Sequence, residues 1–213
     1  MITLKLATSL DGRIATARGE SRWITGADSR QQVHRLRATH DAVVVGAGTA
    51  LADDPELTVR LKGFAGAQPA RVVLDTRQRL SPASRLVLTA REIPTYLVSA
   101  HPLRADLFEA GVREVRVAGE GQRRPGLSEV VAALAAEGLN RLFVEGGGEV
   151  AASLFQDDLV DRLEWFRAPM LLGGDGRPGV GELGLGALAD APRLQRVDLR
   201  VLGDDLWESY ERI

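Results

Sequence analysis

The chain has 213 residues, no cysteine and a formal net charge of −2, with 45% hydrophobic and 26% charged residues. That balance excludes wholesale disorder and any general pull toward nucleic acid or anionic membrane, so an anion site must be a local arginine cluster. The lack of cysteine removes disulfides, thiolate nucleophiles, zinc ribbons and iron–sulfur clusters together, and fits a reducing compartment. No apolar stretch approaches the ~18 residues of a membrane span, and the N-terminus MITLKLATSLDG lacks a signal-peptide pattern. The expectation is one cytoplasmic domain over residues 1–213.

In chain order, Ile2 to Thr8 reads as a first strand, with Lys5 expected at an edge or facing solvent. Asp11-Gly12 marks a turn, and residues 13–23 read as a loop. Trp23 is either a core plug or a stacking platform, with the plug favoured on the residue alone. Thr25 is the expected N-cap of a helix to about Thr39, with Asp28 completing an acidic capping box. That helix turns Val33 and Leu36 inward and carries Arg30, Arg35 and Arg37 on what is normally a solvated face.

The stretch Asp41 to Arg60 is the densest in chemistry. Ala42 to Val45 is an apolar, β-branched buried strand. Gly46-Ala47-Gly48-Thr49 follows, then the carboxylates Asp53-Asp54, Pro55 and finally Arg60. A glycine turn after a strand lets backbone approach a ligand, and a following helix points N–H groups at an anion. The match to the dinucleotide fingerprint G-x-G-x-x-G is only half complete, since Leu51 stands where the third glycine belongs.

Leu61 to Ala70 reads as a loop and Arg71 to Asp75 as a buried strand. Its polar exit, Asp75-Thr76-Arg77, lies where open α/β sheets place ligands, although an ordinary strand exit is the favoured reading. Tyr96–Ser99 is a strand, Pro102–Ala110 a helix stopped by Gly111, and Glu114–Val117 an edge-like strand. Leu127, Val130, Val131 and Leu134 repeat at helical spacing, ending at Gly138. Next, Arg141 to Glu145 enters Gly146-Gly147-Gly148 and a small-residue helix, the order that a diphosphate cradle requires; a closely packed βα turn is the alternative. Arg162–Ala168 is a strand, Pro169–Gly186 mostly loop, and Val197 to Ile213 an antiparallel hairpin turning at Gly203-Asp204-Asp205. The fold class expected is α/β: a mixed, mainly parallel sheet with helices on both faces and a C-terminal antiparallel hairpin.

Motifs for zincins, serine hydrolases, Walker NTPases and EF-hands are absent, and His34, His40 and His101 lack metal spacing, so no metal site is expected. Two glycine turns after strands suggest a dinucleotide and hydride chemistry. Such chemistry needs a proton source, for which Lys5, Asp53 and Glu145 are the candidates.

Four motifs in order, Lys5-Leu6-Ala7-Thr8-Ser9-Leu10-Asp11-Gly12, Ser21-Arg22-Trp23-Ile24-Thr25, Thr49-Ala50-Leu51-Ala52-Asp53-Asp54-Pro55-Glu56-Leu57-Thr58-Val59-Arg60 and Glu145-Gly146-Gly147-Gly148, closely resemble the reductase domain of the bacterial riboflavin-biosynthesis deaminase/reductase family. The resemblance implies a dihydrofolate-reductase-like fold and NADPH-dependent reduction of 5-amino-6-(5-phosphoribosylamino)uracil to the ribitylamino phosphate. It implies cofactor contacts at Ala7, Trp23, Thr49, Asp53, Thr76, Gly147, Gly148, Glu149, Val150, Ala151, Ala152 and Ser153. The implied substrate contacts are Ser21, Arg37, Leu57, Arg60 and Glu145. Arg37 and Arg60 would hold the sugar phosphate with guanidinium forks, and Arg77 is a further candidate for the 2′-phosphate. Asp54 is read as structural. The zinc deaminase that the bacterial family carries has no counterpart here, so either a stand-alone reductase or an excised domain is expected. A homodimer is implied, and a separate deaminase is a candidate partner. Competing readings are a same-fold reductase of the undeaminated diaminopyrimidine or of a pterin, and a silent NADPH-binding partner of a deaminase.

Overall fold

A computed structural model describes residues 1–117 and 126–213. The chain divides into two compact units, residues 1–33 with 144–213 and residues 34–143.

The first unit contains β1 (Ile2–Thr8), β2 (Arg13–Ala15), α6 (Gly148–Gln156), β8 (Arg162–Arg167), β9 (Arg177–Pro178), β10 (Leu194–Leu202) and β11 (Asp205–Arg212). β1 and β8 pair in parallel from Thr3 with Arg162 to Thr8 with Arg167. β11 is antiparallel to β8 and forms the terminal hairpin with β10. Alternation along β1 puts Leu4, Leu6 and Thr8 on one face and Lys5 and Ala7 on the other. Phe166 stacks on Trp207 with ring centroids 5.7 Å apart, and both rings are buried. Glu164 is buried among donors: the Trp207 indole and the Ser209 hydroxyl at 2.6 Å each, and Arg162 Nε at 2.5 Å. A buried carboxylate needs that many partners to offset its desolvation.

The second unit is built on β3 (Ala42–Gly46), β4 (Ala70–Leu74), β5 (Thr95–Ser99) and β6 (Arg113–Arg116), all parallel neighbours in that order. β3 is buried at every position and β5 likewise, which is why both read as near-continuous apolar runs. Around them come α2 (Ala47–Asp53), α3 (Arg85–Leu88), α4 (Ala105–Glu109) and α5 (Leu127–Ala136), the last burying Val130 and Leu134. The unit boundaries fall inside α1 (Ala27–Arg37) and β7 (Leu142–Val144). The sheet is therefore mixed and mostly parallel, with antiparallel C-terminal strands, as expected.

Several local expectations are corrected. Residues 13–15 are not loop: they pair with β9 as a two-stranded sheet. α1 starts at Ala27, and the Gly26 N–H and Ser29 hydroxyl both donate to Asp205, at 2.7 and 2.5 Å. A carboxylate from the terminal hairpin thus does the work assigned to Thr25 and Asp28. The helix expected over 102–110 is only α4, and α5 is preceded by Gly126 with no side-chain cap. Arg71, read simply as a strand residue, is 1% exposed. It donates to Thr95 and Thr89 hydroxyls and to the carbonyls of Leu86 and Ile93. Burial pushes its pKa well below the usual arginine range, to about 10.

Candidate active site

In the first unit the central feature is an ion pair. Lys5 Nζ lies 3.9 Å from Glu145 Oε2, with side chains only 18% and 10% exposed. The expectation of a solvent-facing edge lysine is therefore wrong: β1 turns Lys5 to the side from which Glu145 arrives at the end of β7. Two of the three proposed acid–base residues are brought together; Asp53 belongs to the other unit. Ala7 shares the Lys5 face of β1 and is partly exposed.

Glu145 leads directly into Gly146-Gly147-Gly148 and α6. Gly147 is the N-cap in extended conformation and has no side chain of its own to cap α6. The helix's own ladder begins with the N–H groups of Val150 and Ala151, which reach Gly147 O at 3.0 and 3.1 Å. The N–H groups of Gly148 and Glu149 precede that ladder and are the positions at which a helix receives an anion. Packing also uses these glycines. A methyl group at Gly146 would sit 2.8 Å from Val150 Cβ, and one at Gly148 would sit 2.5 Å from Pro178 O. Close packing and a helix start coexist here, so the two interpretations of the turn are not exclusive. Further along, Ala151 and Ala152 face the core, and the Ser153 hydroxyl returns to Glu149 O at 3.0 Å.

Trp23 is 67% exposed, which rules out the core plug. Its ring is covered by the Arg30 guanidinium at 4.5 Å from the centroid, so the flat face of this indole already stacks with a cation. Ser21 is partly exposed in the same loop.

In the second unit, α2 places Thr49 and Asp53 one turn apart on the same partly exposed side while Ala47 and Ala50 are buried. Asp54 closes the helix in a left-handed conformation, and its Oδ1 accepts the Arg85 N–H at 2.9 Å at the start of α3. That is a structural role, as expected. Leu57 is buried with φ 55° and turns the chain toward Thr58. Around Thr58 two arginines gather. Arg37, only 9% exposed rather than solvated, donates Nη1 to Thr58 O at 2.8 Å. Arg60 donates Nη1 to Thr58 Oγ1 at 3.2 Å and to Glu56 Oε2 at 3.0 Å. His34 Nδ1 lies 3.0 Å from Thr58 O and accepts the Arg60 N–H at 3.2 Å, a contact the histidine spacing did not suggest. At the exit of β4, the Asp75 carboxylate turns inward to accept the Leu80 N–H at 2.9 Å. Thr76 stays partly exposed and Arg77 exposed beside it.

A sequence model of the family described as the RibD C-terminal domain matches residues 1–207. The chain is 38% identical over 221 residues to the riboflavin biosynthesis protein RibD of Haemophilus influenzae, covering 98% of this chain and 58% of that protein. It therefore spans less than two thirds of the length of that relative. It is 37% identical over 211 residues to the 2,5-diamino-6-ribosylamino-4(3H)-pyrimidinone 5′-phosphate reductase of Methanothermobacter thermautotrophicus, covering 98% of this chain and 96% of that one. Among solved structures, Acinetobacter baumannii RibD superposes with a TM-score of 0.86 at 30% identity, over 100% of this chain and 58% of that chain.

Proposed function

The chain belongs to the RibD C-terminal domain family, and on that premise we propose that it is a reductase of riboflavin biosynthesis, using NADPH to reduce the ribosyl group of 5-amino-6-(5-phosphoribosylamino)uracil. The observation that carries the proposal is the Lys5–Glu145 pair, 3.9 Å apart, immediately before the glycine turn that opens α6. Backbone N–H groups at the start of α6 suit a diphosphate, and the indole of Trp23, largely exposed, offers contact to a cofactor ring, so the residues present fit the cofactor. NADPH, when bound, supplies a hydride.

The chain's own residues supply binding and proton control. Glu145 accepts hydrogen bonds from the aminopyrimidine or the ribose, and Lys5 orients that carboxylate or relays a proton to the imine nitrogen beside the carbon that takes the hydride. Asp53 and Thr49 are proposed cofactor contacts, with Ala7, Thr76 and the turn from Gly147 to Ser153. Ser21, Arg37, Leu57 and Arg60 are proposed substrate contacts. Arg37 and Arg60, both tied to Thr58, suit the sugar phosphate. A planar guanidinium fork matches phosphate oxygens in charge and geometry. Arg77 is proposed for the 2′-phosphate. A homodimer and a cytoplasmic location are proposed with this reading; the exposed Val197, Leu199 and Val201 on β10 support the former.

A second reading has its own support. The archaeal relative that matches this chain nearly end to end is named for the undeaminated diaminopyrimidine. NADPH oxidation measured with the deaminated and undeaminated ribosylaminopyrimidine phosphates side by side separates the two. No turnover of either would sink both and favour a silent binding partner. Arg37→Ala and Arg60→Ala should each raise KM for the phosphorylated substrate roughly 10- to 100-fold, the weight of a charge-assisted hydrogen bond. A pterin reductase would be indifferent to both.

A further inference from the structure

Outside these assignments, one carboxylate in the first unit is held by three donors. Asp11 lies in the turn after β1. Its Oδ1 accepts the Ser9 hydroxyl at 2.5 Å and the Leu172 N–H at 3.1 Å, and Oδ2 accepts the Gly173 N–H at 2.7 Å. These donors, the Ser9 hydroxyl foremost, hold its pKa down at about 2. Ser9 Oγ in turn accepts the Arg13 N–H at 3.0 Å, so the turn is braced from within.

The partners matter because of where they lead. Residues 170–181 run along this turn, with Leu10 N–H donating to Met170 O at 2.8 Å and Gly179 N–H to Gly12 O at 2.9 Å. The approach is close enough that a side chain would have to displace its neighbour. A methyl group at Gly176 would lie 3.0 Å from Arg13 Cγ, and one at Gly179 would lie 3.0 Å from Thr8 Cγ2. At its far end the same segment meets α6: Gly181 N–H donates to Gly148 O at 2.8 Å. The Pro178 carbonyl occupies the space that a side chain at Gly148 would need. Residues 170–181 are thus a spacer, gripped by Asp11 on one side and seated on the first residue of α6 on the other.

We infer that Asp11 is a positioning residue for the glycine turn: by fixing residues 170–181 it sets where the Gly148 and Glu149 N–H groups point, and so how tightly the cofactor diphosphate is held. The inference rests on the reading of Gly146–Gly148 as the diphosphate turn. All three partners of Asp11 are donors, so the position requires two acceptor oxygens. Asparagine would turn an NH2 group against one of them, and alanine would leave all three without this acceptor.

The test compares wild type with Asp11→Ala, Asp11→Asn and Ser9→Ala by NADPH fluorescence titration, amide hydrogen exchange and steady-state kinetics. The NADPH Kd is expected to rise about tenfold in Asp11→Ala, on the scale of losing charge-assisted bonds. Asp11→Asn should fall between Asp11→Ala and wild type. At saturating NADPH, kcat should stay within about twofold. Exchange should quicken at residues 148–150 and 172–181 and not in β3. Ser9→Ala removes one hydroxyl only and covers the case in which Asp11→Ala does not fold; it should show the same pattern at smaller size. An unchanged Kd in a folded variant overturns the inference, as does exchange that rises evenly along the chain. If wild-type NADPH binding leaves residues 148–150 unprotected, the diphosphate reading itself has failed and the inference falls with it.

Discussion

A lysine and a carboxylate 3.9 Å apart, each more than four-fifths buried, attract with a gross energy on the order of 4 kcal/mol at an effective dielectric of about 20. Desolvation takes back much of that, so stability alone is a weak reason to place Lys5 and Glu145 together in a strand that could have been apolar. A chemical role is the stronger reason, and it predicts an asymmetric outcome. Glu145→Gln should keep the fold and lower kcat by roughly 10²- to 10⁴-fold, the range of a positioned acid–base group. A kcat within threefold of wild type would make the pair structural. Asp11 makes a different prediction at the same scale. Its folded pKa, about 2, lies below the ordinary 3.8. A depressed carboxylate stabilises the fold above its unfolded pKa and loses that stabilisation as pH falls through the folded one. The melting-temperature gap between wild type and Asp11→Asn should therefore be full at pH 7, begin to close below about pH 4 and be nearly gone by about pH 2. A gap independent of pH would show that the charge contributes nothing.

At the scale of elements, the two glycine turns separate cleanly. The opening turn, Gly46-Ala47-Gly48, starts a helix of seven residues, and a methyl group at Gly48 would meet nothing within 4 Å. The later turn, Gly146-Gly147-Gly148, is packed so closely that backbone stands where a Gly148 side chain would go. Gly48→Ala should then be neutral or stabilising by up to ~1 kcal/mol. Gly148→Ala should cost about 1–3 kcal/mol, because backbone must move rather than a side chain. Urea unfolding of the two variants checks both signs. Strand, glycines and helix were legible in order from residue type alone, as were β3, β5 and the terminal hairpin, because their patterns are local. The rest was set by distant partners. Nothing near Thr25 announces that Asp205 will cap α1. An arginine opening a strand normally reads as surface, yet Arg71 is enclosed by hydroxyls and carbonyls from residues 86–95 that only the folded chain collects. Trp23 was misjudged as a core plug because nothing in its own loop shows that its ring stays 67% exposed. Lys5 was misjudged because its partner lies 140 positions away. The glycine segment 173–181 looked like plain loop because its reason, close contact with the turn after β1 and with Gly148, is tertiary.

For the molecule as a whole, a ligand that binds only the folded state adds RT ln(1 + [L]/Kd) to its stability, about 2.7 kcal/mol at a hundredfold excess over Kd. In a chain of this length each kcal/mol moves the midpoint by about 2–4 °C, so saturating NADPH should raise the melting temperature by roughly 5–10 °C. The shift should grow with the logarithm of NADPH concentration and shrink in Gly148→Ala at equal concentration, since that variant disturbs the helix end assigned to the diphosphate. NADH at the same concentration should shift it less if Arg77 recognises the 2′-phosphate, and Arg77→Ala should bring the two cofactors together. The proposed cofactor residues include Thr49, Asp53 and Thr76 as one set and Trp23 and Gly147–Ser153 as another. NADPH should therefore slow amide exchange in both sets. Protection confined to residues 147–153, with none at 49–53 or 76, would remove Thr49, Asp53 and Thr76 from the cofactor assignment.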